Sequence, residues 1–134
     1  MLKFFDQTIY VKVERDAFEL FHVQDNRRLR VQSEISFSTN RMAIGEFTKA
    51  EKTLKKGLND LYKKSFLKPA PEFVMHQTHL AEGGLCQVEE RVLRELALGS
   101  GARGVYIWHG QDISEAQLLS RAYANSVEQN GRSD

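Results

Sequence analysis

Three side chains able to bind a transition metal stand close together in the stretch MHQTHLAEGGLC: His76, His79 and Cys86. A His-x-x-His pair followed by a cysteine offers two imidazoles and a thiolate, but a structural zinc site usually takes four ligands. The spare histidines His22 and His109 have no motif around them. The plainer reading is a polar loop at a strand end, with no metal and no cofactor. Carboxylates are the next candidates, because metal-assisted phosphodiester cleavage needs several acidic ligands. Asp6 can supply one, yet residues 73–77, FVMHQ, carry no carboxylate to face it, so a nuclease is not expected. The third candidate is the lysine row Lys49, Lys52, Lys55, Lys56, Lys63 and Lys64. Of these, Lys52, Lys55, Lys56 and Lys63 are the candidate contact for an acidic protein surface or phospholipid headgroups, against the plain alternative of a solvated helix face.

Positioning any of these groups requires a core, and 134 residues are enough for one domain. Hydrophobic residues make up 41% and charged residues 28%, the balance of a folded globular chain. Nineteen basic and eighteen acidic residues leave a formal charge of +1, which gives no electrostatic reason to expect nucleic acid. Cys86 alone cannot form an internal disulfide and fits a reducing, cytoplasmic setting. The opening MLKFFDQTIYVKVERD meets charge at Lys3 and Asp6, so neither a secretory signal nor a spanning helix is expected there. Membrane contact is not expected either.

The hydrophobic pattern predicts a hairpin-rich start. TIYVKV alternates, with Ile9, Val11 and Val13 on one side and Thr8, Tyr10 and Lys12 on the other. Polar breaks at 14–16 and 24–27 separate it from AFELFHV and RLRVQ, an antiparallel meander, which 33–37 extends or follows with a short strand. From Glu46 to Phe66 the period becomes helical through Phe47, Ala50, Leu54, Leu58, Leu61 and Tyr62. Pro69 and Pro71 stop that helix, and Phe73, Val74 and Met75 read as a central strand. A second helix from Gln87 presents Leu85, Val88, Val92 and Leu96, with Gly99 as its left-handed stop. After an apolar strand at 105–108, in which Tyr106 and Trp108 fill the core, Ser114 and Gln117 form a capping box and Ile113 staples onto Leu118. Leu119, Ala122 and Tyr123 continue that helix's apolar face. One domain is expected over 1–125 and a polar, fraying tail over 126–134. The order βββαβαβα implies an α/β fold of ribonuclease H-like layout, a mixed sheet covered by helices.

The segment QVEERVLRELALGSGARGVYIW (residues 87–108) is similar to the part of MreB-type bacterial actins that reads Val-Glu-Arg-Arg, a helix, then Gly-Ala-Arg-Glu-Val and a hydrophobic strand. SFLKPAPEFVM (65–75) resembles that family's Phe-Leu-Arg-Pro-Ser-Pro-Arg-Val. RMAIGEFTKAEKTL (41–54) and DQTIYVKV (6–13) resemble it more loosely. The resemblance implies the first large subdomain of an actin-like fold. In that family ATP lies between two such halves, gripped by a phosphate loop from each, and the first loop reads Asp-Leu-Gly-Thr-Ala-Asn-Thr. Here Asp6 runs directly into Gln7 and Thr8, without the glycine that lets backbone amides approach phosphate. Where the family continues with Glu-Glu-Pro, this chain reads His109, Gly110, Gln111, Asp112.

Glu89 falls on the glutamate that positions the attacking water in the family. Positioning requires phosphate and metal already held nearby. Without them Glu89 is a first-turn carboxylate favoured by the helix dipole. The expectation is therefore a non-catalytic MreB-like protein acting through protein contacts, as adaptor, cap or regulator of an actin-like cytoskeleton that sets cell shape. Its partner would be an MreB-type filament or an associated protein. An interaction module that keeps only the fold, and an enzyme using a modified cleft around Asp6, Glu89 and the 76–86 loop, are the alternatives.

Overall fold

A computed structural model describes residues 7–61 and 70–124. Eight elements follow in the order β1 (Thr8–Glu14), β2 (Ala17–His22), β3 (Arg27–Gln32), α1 (Phe47–Leu61), β4 (Glu72–Gln77), α2 (Gln87–Gly99), β5 (Gly104–Trp108) and α3 (Glu115–Ser120). The fold is mixed α/β, with five strands ordered β3-β2-β1-β4-β5. β1, β2 and β3 form the antiparallel meander, and β4 and β5 run parallel to β1. Glu14 pairs with Ala17, so Arg15 and Asp16 alone make the first turn. Asp16 takes the left-handed conformation there (φ 55°), as Asn26 does in the second turn (φ 51°), a region that Asp and Asn enter more readily than other non-glycine residues.

The period-two alternation of β1 divides the molecule into two layers. Ile9, Val11 and Val13 join Phe18, Leu20, Phe73 and Met75 in the larger core beneath α1 and α2. Tyr10, Phe21 and Val74 face the other way, toward Ile113, Leu118 and Tyr123. β4 is buried along its whole length, as a central strand covered on both faces must be. α1 packs close against the sheet at Gly57, where an added Cβ would lie 2.7 Å from Val31 Cγ1 and 2.9 Å from Leu20 Cδ1. The missing side chain lets the helix approach the sheet.

Several expectations need correction. Residues 33–37 are neither strand nor extension but a connection held by Asp16: its Oδ1 accepts the Phe37 and Ser38 N–H groups and the Ser36 hydroxyl, each at 2.8 Å. Gly99 remains in α2, and Gly101 takes the left-handed position (φ 109°). α2 buries Leu93, Leu96 and Ala97, whereas Val88 is 64% exposed. The apolar residues of this helix fit two overlapping stripes, and the inward one is centred on Leu93. Leu119 is 59% exposed because α3 turns the adjacent Leu118 inward; the helix then breaks at Arg121, a left-handed cap (φ 61°), and a helical turn at 122–124 returns Tyr123 to the core. Tyr106 and Trp108 are only partly buried, packed against the smaller core. The helix stop at Pro69 and the tail 126–134 lie outside the described residues, as does Tyr62.

Candidate functional site

Open α/β sheets bind ligands outside the carboxyl ends of their parallel strands, and here that edge carries a connected polar cluster. Lys12 lies near the end of β1 and His76 near the end of β4, paired in register. The chain leaving β5 crosses over both. His76 Nε2 lies 2.8 Å from the Gly110 carbonyl, which can only accept, so Nε2 carries the proton. Nδ1 then accepts from the Tyr10 hydroxyl at 2.6 Å, and the Ile113 N–H donates to that hydroxyl oxygen at 3.4 Å. Lys12 Nζ donates to Asp112 Oδ2 at 2.7 Å and lies 3.5 Å from Glu19. Trp108 Nε1 donates to the Gln111 carbonyl at 2.7 Å, and His109 pairs with Glu90 of α2 at 3.1 Å. Residues 109–113 thus form a strap fastened to β1, β4 and α2.

Burial is the largest influence on His76 and holds its imidazole below its ordinary value, against the pull of the Gly110 carbonyl and Asp112. Burial likewise pushes the Tyr10 hydroxyl up to about 12. For Lys12, burial works to lower the ammonium, but the Asp112 hydrogen bond and the charges of Asp112 and Glu19 outweigh it and hold it above the usual lysine value. The Lys12 hydrogen bond depresses Asp112 in turn. Near neutral pH the cluster is therefore one ion pair beside a neutral Tyr–His pair. Neither imidazole nitrogen is open to act as a base, and the phenol is far from ionising. Beside the strap is a cavity of about 110 Å³, lined by Tyr10, Lys12, Glu19, Phe21, Arg28 and Asp112 among others. The Arg28 guanidinium lies 3.8 Å above the Phe21 ring.

The residues singled out in the sequence separate in space. His76 is 2% exposed with both nitrogens engaged, so it is not available to a zinc site with His79 and Cys86. Cys86 is an exposed thiol at the cap of α2. Among the described residues no three His, Cys, Asp or Glu side chains are placed to hold a metal ion. Glu89 Oε1 accepts the Cys86 N–H at 2.8 Å, the return bond of a capping box. Lys52, Lys55 and Lys56 are exposed on α1, while Lys63 and Asp6 lie outside the described residues. Gln7 precedes β1, at its amino end. The connection at the carboxyl end of β1 is the turn of Arg15 and Asp16, at the opposite end of the strand from Gln7 and Thr8. That turn has no glycine, and the neighbouring N–H groups of Phe37 and Ser38 already hold the Asp16 carboxylate. These residues do not fit a phosphate cradle.

A second cluster, unforeseen in the sequence, lies at the amino edge. Glu72, 7% exposed, receives Arg121 Nη2 at 2.8 and 2.7 Å on its two oxygens and the Tyr123 hydroxyl at 3.3 Å, with Arg103 at 3.7 Å. The Glu72 hydrogen bond raises the Arg121 guanidinium further above its already high value. The carboxylate and the cation are 49 residues apart, and no local spacing could have paired them.

No family model matches the chain. It is 33% identical over 98 residues to the uncharacterized protein YjaA of Escherichia coli (strain K12), over 69% of this chain and 75% of that one. The chain belongs to the YjaA family. This YjaA-family chain is also 33% identical over 64 residues to the cell shape-determining protein MreB of Pasteurella multocida (strain Pm70). That match takes in 48% of the chain and 17% of MreB. Among the described residues no helix is long and apolar enough to cross a membrane.

Proposed function

We propose that this YjaA-family protein is a non-catalytic, actin-related domain of the cytoplasm that works through protein contacts, as adaptor, cap or regulator of an MreB-type filament. The observation that carries the reading is the partial match to a cell shape-determining protein, which spans nearly half of this chain but a small part of MreB. On this reading the matched segment offers an actin-type surface for such contacts. The strand order, with β2 antiparallel to a central β1 and β4 and β5 parallel to it, is compatible with the ribonuclease H-like half of an actin fold. Two features favour a role without nucleotide chemistry: the glycine-free turn filled by Asp16, and the use of Glu89 to cap α2.

The test is co-sedimentation of the purified protein with polymerised MreB from the same organism, beside an unrelated domain of similar size and charge. Enrichment in the pellet, or loss of polymer, is the expected result. If the protein stays in the supernatant and the polymer is unchanged at every concentration, the filament reading is wrong.

A further inference from the structure

The outward face of α2 is a palindrome. Opposite the buried Leu93, Leu96 and Ala97 run Val88, Arg91, Glu95 and Leu98, all exposed, with Val88 at 64% and Leu98 at 50%. Successive steps of three, four and three residues keep them on one stripe. Among the described residues neither Arg91 nor Glu95 enters an ion pair. The apolar residues end the stripe about 15 Å apart, and the opposite charges sit between them about 6 Å apart. The stripe is symmetric about the level of Leu93.

A two-fold axis through that level would lay a second α2 antiparallel on the first. Val88 would then meet Leu98 of the other copy, and Arg91 would meet Glu95, twice over. This self-complementarity is what an isologous contact requires, since each residue must serve as its partner's partner. An unrelated protein needs no such symmetry. A parallel alignment in the same register would instead put like charges together, which is repulsive.

We infer that the protein self-associates as a two-fold dimer through antiparallel α2 helices, with Val88 packed on Leu98 and Arg91 paired with Glu95 of the second copy. One helix face falls short of the roughly 1,600 Å² of a standard interface, so the dimer is weak and depends on concentration. The inference is independent of the filament contact, and neither result decides the other.

Sedimentation equilibrium of the chain under reducing conditions, which keep Cys86 from cross-linking, tests it. The mass should rise toward two chains as concentration increases. Arg91→Glu and Glu95→Arg should each weaken dimerisation at least tenfold, because each puts like charges face to face. An equimolar mixture of the two variants should dimerise again, since one copy then offers two acids and the other two bases at the same positions. Circular dichroism checks that each variant is folded. A wild type that stays monomeric throughout, or a dimer that neither variant weakens and whose variants gain nothing on mixing, overturns the inference.

Discussion

Tyr10 and His76 stand side by side on β1 and β4, their rings stacked with centroids 5.9 Å apart and joined by a 2.6 Å hydrogen bond. The same imidazole reaches on to the Gly110 carbonyl, and the same hydroxyl accepts from Ile113. Beside the Lys12–Asp112 pair, these two residues tie the sheet to the 109–113 strap.

Tyr10→Phe keeps the ring but removes a donor to His76 Nδ1 and an acceptor for the Ile113 N–H, leaving both unsatisfied in the interior. The expected loss is about 1–3 kcal/mol, read as a lower urea midpoint at unchanged slope. Faster hydrogen exchange at 109–113 than in α1 would place the effect in the strap.

Stability should fall on mild acidification. His76 and His22 are both held by burial below the ordinary imidazole value near 6.5, so just beneath that pH the unfolded chain binds more protons than the folded one. Their contribution is complete above about 6.5 and is lost as pH falls through the depressed folded values. Asp16 adds a lower window. Burial works to raise its carboxyl, but the hydrogen bonds from Ser38, Ser36 and Phe37 hold it below its usual value. Its contribution is present above about 3.9 and is lost as pH falls through the folded value. Urea melts between pH 7.5 and 5 should show the first decline, and a flat midpoint there would contradict it.

Gly57→Ala sets two effects against each other. Alanine favours the helix by about 1 kcal/mol, but its Cβ would press on Val31 Cγ1, on a short branched side chain with little room to move. Overpacking of about 1–3 kcal/mol should win. Thermal denaturation will show a lower Tm if the close approach is rigid, and a higher one if α1 can lift off the sheet.

Glu89→Ala should cost about 0.3–1.5 kcal/mol by removing the capping-box return bond to Cys86. Glu89→Gln should cost less, because glutamine can make the same bond and gives up only the charge near the helix dipole. Equal losses from both variants would mean that charge, not the hydrogen bond, is what α2 uses.

Most of the architecture was legible because it is local. The alternation of 8–13, the apolar run at 73–75 and the Ser114 to Gln117 capping box are decided within a few residues, and each is found where the pattern puts it. The helix register of α2 was not legible, because Val88–Val92–Leu96 and Leu93–Leu96–Ala97 are equally good stripes until the sheet chooses one. The surroundings of His76, expected in a polar loop at a strand end, were not legible for a related reason. Its spacing from His79 suggests ligation, but its place on a fully buried strand aims it at Tyr10, a residue on another strand. Asp16 and the Glu72–Arg121 pair depend on contacts between distant segments, to which periodicity is blind.

The strand arrangement also fixes an order of events in time. The meander closes through short turns between neighbouring strands, whereas joining β4 to β1 brings together groups 66 residues apart. Closing the longer loop costs more chain entropy before any contact repays it. Refolding should therefore begin in β1–β3, with β4 and the strap arriving late. Val74→Ala is then expected to speed unfolding far more than it slows folding, and Leu20→Ala to do the reverse, a contrast that stopped-flow chevrons can read directly.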